Sequence, residues 1–231
     1  SEAKYYFYHQ CQGAVQLPSG PKVHLAASYK HLGGFITARN RMPRECTYRA
    51  ASAGVARKEL KQVYNSSVFE EPTAISLSDS LVFSRLFHNA GIWGSIADAS
   101  ERVLAVECHR TLRSAAHQQF WQAESIPSDI QLLAAVQRPP ISVKVRVYRL
   151  SWIPRCLVFC FECPILAAVL QECDRLNVGW HAVVRKDIDW LYRCFPSKFY
   201  FLSPPAQHVE CWLKAAFEMP TWRKRMVREA A

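Results

Sequence analysis

Carboxylates, thiols and imidazoles are where chemistry would start in this sequence. Asp187-Ile188-Asp189 places two carboxylates two residues apart. On a helix, positions two apart point about 200° away from each other, so this pair does not share a metal ion and reads as a solvated helix face. Cys156, Cys160 and Cys163, with Cys173 beyond them, form a second group. Zinc ligands come as two tightly spaced pairs, which a Cys-x3-Cys-x2-Cys run does not supply, so these residues are expected to be free thiols buried in a core. The eight histidines, at positions 9, 24, 31, 88, 109, 117, 181 and 208, are scattered. No Gly-x-Ser-x-Gly, His-Glu-x-x-His or phosphate-loop motif accompanies them, which leaves hydrolase and nucleotide-loop chemistry without a starting residue.

What the chain has in excess is positive charge: 29 Lys and Arg against 19 Asp and Glu, a formal net charge of +10 over 231 residues. That balance favours an anionic partner. Nucleic acid is the commonest, although ribosome-like or membrane-surface binding would leave the same signature. Half the residues are apolar and 21% are charged, the composition of a globular chain with a core, as one domain or two small ones. The sequence opens at Ser1 with no secretory-type leader, so it is expected to be a piece of something longer. The longest apolar run, Leu157 to Leu170, is broken by Glu162 and Pro164 and falls short of the roughly 20 residues a bilayer needs. No membrane partner is expected. Nine cysteines, an odd number without a leader, point to reduced thiols and a nuclear or cytoplasmic location.

The elements that would position any site follow from periodicity. Pro18-Ser19-Gly20-Pro21 separates two short apolar-polar runs, 12–17 and 22–27, and presets a turn, so the runs read as a hairpin. The octet Tyr29-Lys30-His31-Leu32-Gly33-Gly34-Phe35-Ile36 is expected to add a third strand, and the aromatic Tyr5-Tyr6-Phe7-Tyr8 another. Paired glycines in a strand let a second backbone or a ligand come close, because no side chain intervenes. A bulge that serves packing alone is the other reading of the octet.

From Arg44 to Tyr64 the period becomes helical, with Ala53, Ala56, Leu60 and Val63 on one face and Arg57 and Lys61 on another. Between Lys22 and Lys61 there are nine Lys or Arg against two Glu. Ser76 with Asp79 predicts the start of a second helix carrying Leu77, Leu81, Val82, Phe83, Leu86 and Phe87, apolar nearly all round and so the centre of a bundle, with Gly91 and Gly94 as its end. A third helix, about Ala99 to Trp121, turns Leu104, Cys108, Leu112 and Ala115 inward. Its Arg102, His109, Arg113 and His117 form a stripe at steps of seven, four and four residues, a candidate phosphate-facing surface. Ser128 to Gln137 reads as helix and stops at Pro139-Pro140. Val143 to Val147 alternates like a strand, yet Val143, Val147 and Leu150 also fit a helix, and periodicity leaves both open. Further helices are expected at Pro164 to Leu176, Gly179 to Cys194 and Pro205 to Glu218.

The octet, the basic turn after it, the Arg-bounded helix, the apolar helix ending in Ala90-Gly91-Ile92-Trp93 and the basic helix beyond, in that order, resemble the C-terminal part of non-LTR retrotransposon (LINE-type) reverse transcriptases. That part comprises the primer grip, the thumb and downstream helices. The likeness runs from roughly residue 15 to 115 and continues more faintly to about 195. The family's grip carries an aromatic-Lys-aromatic-Leu-Gly run; here His31 stands in the third position and a second glycine follows.

The resemblance implies an α+β, mostly α fold. Residues 1–43 would be an end-of-palm antiparallel β-sheet with the grip strand, 44–125 a three-helix thumb and 126–231 a helical C-terminal extension, with helix rather than strand at 142–149. It also implies a role in an RNA-directed DNA polymerase: positioning an RNA or DNA template-primer duplex through backbone contacts. Those contacts would come from Tyr29, Lys30, His31, Leu32, Gly33 and Gly34 in the grip, from Arg39, Arg41, Arg44, Arg57 and Lys61 beside it, and from the stripe Arg102, His109, Arg113 and His117. Polymerisation of this type needs magnesium held by carboxylates that include adjacent aspartates. No Asp-Asp pair occurs in this sequence. The chain is therefore expected to begin after the catalytic centre, to hold no cofactor, to be inactive alone, and to have the fingers and palm of the same polypeptide as partners.

Two rival readings stand beside this one: a basic helical module that binds protein or RNA without polymerase ancestry, and a retroelement remnant without function. The tail Trp222-Arg223-Lys224-Arg225-Met226-Val227-Arg228 fits RNA binding, a nuclear address or a solvated chain end equally.

Overall fold

The structure, a computed structural model, describes residues 11–16, 22–26, 28–31, 34–37, 42–66, 68–116, 126–195, 205, 209–218, 225 and 228–230. The residues at 5–8, Leu32, Gly33, Arg39, Arg41, His117 and most of the basic tail lie outside them.

The expected α+β class with an N-terminal sheet is corrected. From Met42 onward the described residues are mostly helical (80%) and include no strand or sheet. Ahead of them, among the described residues, β1 (Cys11–Gln16) pairs only with β2 (Lys22–Ala26), and β3 (Ser28–His31) only with β4 (Gly34–Thr37). The two antiparallel hairpins are separate and do not make a common sheet. The octet is accordingly not one strand. His31 pairs with Gly34 and Lys30 with Phe35, so its two halves face each other across a two-residue connection ending in Gly33, a spacing and composition that favour chain reversal over extension.

The first helix, α1 (Pro43–Glu59), opens with proline at its first position, where a missing N–H is no loss. Past Leu60 a short turn follows, α2 (Lys61–Tyr64), and Ala53, Ala56, Leu60 and Tyr64 are buried. The next helix, α3 (Glu71–Leu77), starts before the expected cap at Ser76, from an extended Glu70 with Pro72 in its first turn. It runs on through a π-helical stretch, Ser78–Phe83, into a last α-turn, Ser84–Leu86. Serine hydroxyls at 78, 80 and 84 donate to the carbonyls four residues back, at 2.8, 3.1 and 2.6 Å, and such back-bonding loosens regular helical geometry. Val82, Phe83, Leu86 and Phe87 are buried as the apolar pattern expects, while Leu81 is exposed. Asn89, in the left-handed region at φ 62°, ends this helix in place of Gly91 and Gly94.

The basic helix α4 (Asp98–Ala115) buries Leu104, Cys108, Leu112 and Ala115. A reciprocal capping box opens α5 (Asp129–Ala135): Gln131 N–H donates to Ser128 Oγ, and Ser128 N–H donates to Gln131 Oε1 at 2.9 Å. Residues 143–147 belong to a single 22-residue helix, α6 (Ile141–Glu162). Then follow α7 (Pro164–Arg175), α8 (Gly179–Cys194) and α9 (Val209–Glu218).

Two apolar cores result. One gathers residues between Cys46 and Val145, the other residues between Leu150 and Trp212, and α6 contributes to both. Close approach at Gly91 joins them: the Trp180 indole N–H donates to Gly91 O at 2.7 Å, and a Cβ on Gly91 would lie 2.8 Å from Trp152 Cβ. Among the described residues no helix is long and apolar enough to cross a membrane.

Candidate nucleic-acid interface

The packing of α1 on α4 builds the site. α1 turns Ala53 and Ala56 to the core, and small side chains let a second helix approach closely. Gly54 takes part in this: a Cβ there would stand 3.5 Å from Glu107 Oε1. Glu107 is itself nearly buried, and Arg57 Nε donates to its Oε1 at 2.7 Å, tying the last turn of α1 to the middle of α4. This pair is 50 residues apart in sequence.

Around it the cations collect. A groove of about 650 Å³ between the two helices is lined by Arg57, Lys58, Arg102 and Arg110, with Val55 and Val106 among its apolar walls. A second hollow, of about 380 Å³, continues past the end of α1 and takes in Arg57, Lys58, Lys61 and Arg113. Arg113 Nη2 donates to Asp129 Oδ1 at 2.5 Å, and His109 Nδ1 lies 2.9 Å from the other oxygen of that carboxylate. The Arg113 hydrogen bond, aided by the charge of His109, holds the Asp129 carboxyl below its ordinary range. Lys58, Lys61, Arg102 and Arg110 are exposed, and among the described residues no carboxylate pairs with any of them.

Of the residues expected to touch nucleic acid, the structure thus brings Arg57, Lys61, Arg102 and Arg113 to one face. His109 is half-buried against Asp129 beside it. Arg44 lies half-buried in the first turn of α1. Tyr29, Lys30 and His31 are in β3, and Gly34 opens β4. Gly34 sits against the start of α1, where a Cβ would be 3.5 Å from Glu45 Oε1 and 3.6 Å from Arg49 Nη2. Those two side chains form a buried ion pair at 2.7 Å. Exposed Lys58 stands at the far end of α1, about 20 Å along the helix axis from Glu45, and Lys61 lies just beyond it in α2. Leu32, Gly33, Arg39, Arg41 and His117 fall outside the described residues.

Sequence reasoning missed Lys58 and Arg110. Each is the immediate neighbour of a residue that was picked out, and a helix spacing of three joins Lys58 to Lys61 and Arg110 to Arg113. That shared spacing is the signal that would have found them.

The other chemistry-bearing groups resolve differently. Asp187 is not on a solvated face: it is buried, and Arg149 grips both its oxygens, at 2.5 and 3.0 Å. Asp189 pairs with Arg193 on the surface. The eight cysteines from Cys46 onward are free, but of these only Cys46 and Cys108 are buried; Cys156, Cys160 and Cys173 are half-buried and Cys163 is exposed. Burial pushes the Cys46 thiol up to about 12 and the Cys108 thiol to about 11, so both stay protonated and are poor nucleophiles. Among the described residues no group of three or more His, Cys, Asp or Glu is placed to hold a metal ion.

Compared with family models, curated proteins and solved structures, the chain matches none of them.

Proposed function

We propose that this chain holds the sugar-phosphate backbone of a nucleic-acid duplex against the α1–α4 face, as the duplex-positioning part of an RNA-directed DNA polymerase whose chemistry another part of the polypeptide supplies. One observation carries the reading: Lys58, Lys61, Arg102 and Arg110 stand exposed on a single face and, among the described residues, without carboxylate partners, flanked by Arg57 and Arg113. Exposed cations gathered on one face repel one another in the free protein. A phosphate backbone relieves that repulsion and releases its own condensed counterions, so binding is driven by charge and carries little sequence preference.

The test is the salt dependence of binding to an RNA–DNA duplex. If each of these four cations meets one phosphate, log K falls against log salt with a slope of about −3.6. Replacing Lys58 or Arg110 with alanine should make the slope shallower by about 0.9 each. A flat salt profile would sink the proposal.

A rival reading has one observation in its favour. Val55, Val103 and Val106 are exposed by 53, 40 and 48% within the same groove, which suits an apolar partner surface as well as the sugar edge of a duplex. Protein binding there would show a weak salt slope and would be weakened by Val106→Ser, an uncharged change that leaves the salt slope for duplex as it was.

A further inference from the structure

The hollow beyond the end of α1 differs from the groove beside it. Arg57, Lys58 and Lys61 reach it from α1 and α2, and Arg113 from the last turn of α4, with Asn65, Tyr64 and Ser114, whose hydroxyl donates to Arg110 O at 2.9 Å, completing the wall. The Tyr64 hydroxyl is already engaged with Ser78 Oγ at 2.9 Å, so polar recognition falls to the four cations and the amide. Glu107 offsets Arg57 and Asp129 offsets Arg113. Four cations less two carboxylates leave two uncompensated positive charges. A phosphodiester carries one negative charge, whereas a phosphomonoester carries about −1.5 to −2 at neutral pH.

Two further facts bear on the site. α1 and α4 both end here, so their dipoles oppose an anion and the side chains alone must attract it. The Nε of Arg113 is buried with no acceptor among the described residues, so Arg113 meets a ligand in the hollow only through its Nη atoms, one of which already donates to Asp129.

We propose that this hollow is a receptor for a terminal phosphomonoester, the phosphate at the end of a nucleic-acid strand lying on the α1–α4 face. The inference rests on the backbone-binding reading and adds an end preference to it. The strand runs along the groove through diester contacts at Arg102 and Arg110, and its terminal dianion enters between Lys58, Lys61, Arg57 and Arg113. Lys61 is the discriminating residue, since it lines the hollow but not the groove.

The full chain is titrated with three RNA–DNA duplexes of one sequence, carrying a 5′-phosphate, a 3′-phosphate or hydroxyls at both ends. A phosphorylated duplex should bind about tenfold more tightly than the hydroxyl one, the effect of roughly 1.4 kcal/mol. Lys61→Ala should bring that ratio close to one and Lys61→Arg restore most of it, while Arg102→Ala weakens all three duplexes alike and preserves the ratio. Equal affinity for the three duplexes, with steep salt dependence retained, overturns the end receptor and leaves the backbone reading standing. So does a ratio that survives Lys61→Ala. Absence of salt-dependent binding to any duplex overturns both. A nucleoside 5′-monophosphate titrated alone separates a free ligand from a strand end: affinity equal to that of the phosphorylated duplex overturns the assignment to a strand.

Discussion

The second core and the α1–α4 face both carry cationic side chains, but carboxylates compensate them unevenly. Around the second core four arginines meet carboxylates, Arg149 with Asp187, Arg185 with Asp174, Arg193 with Asp189 and Arg175 with Glu172, while Arg155 and Lys186 have none among the described residues. On the α1–α4 face, Lys58, Lys61, Arg102 and Arg110 have none among the described residues. A net charge of +10 describes both regions and distinguishes neither. What separates a binding face from a merely basic protein is where compensation is withheld. Pairing at the second core serves internal order, and its absence on the first face leaves a field that reaches outward.

The strongest way to break this comparison is at Asp187, whose side chain is 2% exposed. Asp187→Ala leaves Arg149 buried without its counterion, with Arg146 3.7 Å from the vacated carboxylate. The expected loss is about 3–5 kcal/mol, read by chemical denaturation. Duplex affinity per folded molecule, and its salt slope, should stay as they were. A shallower slope in this variant would mean that the second core takes part in binding, and the division of labour would be gone.

Gly91→Ala tests whether the two cores stand or fall together. The new methyl would approach Trp152 Cβ to 2.8 Å, too close for both to keep their places. A destabilisation of about 1–3 kcal/mol is expected. Because Trp180 donates to Gly91 O, tryptophan fluorescence should report the displacement in the native state. An unchanged melting curve would show that the junction yields freely.

A third variant acts on the binding face alone. Lys58→Ala with Arg110→Ala should leave stability within about 0.5 kcal/mol, since both side chains are exposed and, among the described residues, without carboxylate partners. The salt slope for duplex binding should shrink by about 1.8. Loss of folding in this double variant would show that these side chains pack, and the face would lose its standing as free charge.

Much of the helical framework is legible in the sequence because its stop signals are local. Gly179 to Cys194 is expected and observed at both ends, and α5 begins where Ser128 and Gln131 can cap each other. The inward residues of α4 follow from a period of three and four. Elsewhere local signals mislead. Ser76 resembles a cap, yet the helix already begins at Glu71, and the nearby serine hydroxyls turn to carbonyls instead. The octet's strand-like composition conceals a reversal, because a paired glycine permits either extension or a turn. The site is harder to read than the helices. Arg57 and Lys61 show on one helix face, but the Arg57–Glu107 link that sets α4 beside them spans 50 residues, and no local pattern encodes it. The burial of Asp187 escapes for the same reason: its partner Arg149 lies 38 residues away.

The mildest change probes compensation at the edge of the face itself. Asp129 is about half exposed, accepts from Arg113 and lies beside His109, and its carboxyl is held below the ordinary value of 3.8 chiefly by the Arg113 hydrogen bond. A carboxylate with a depressed folded pKa contributes stability that is fully present above 3.8 and lost as pH falls through the lowered value. Exposure limits that contribution to under about 1 kcal/mol. Asp129→Asn should therefore flatten part of the acid limb of the stability curve while costing little at neutral pH. Binding should move the other way. With its counterion gone, Arg113 joins the uncompensated cations, and the salt slope for duplex should steepen by up to about 0.9. A slope unchanged or shallower would show that Arg113 faces its own helix neighbours rather than the ligand, and the binding face would then end at Arg110.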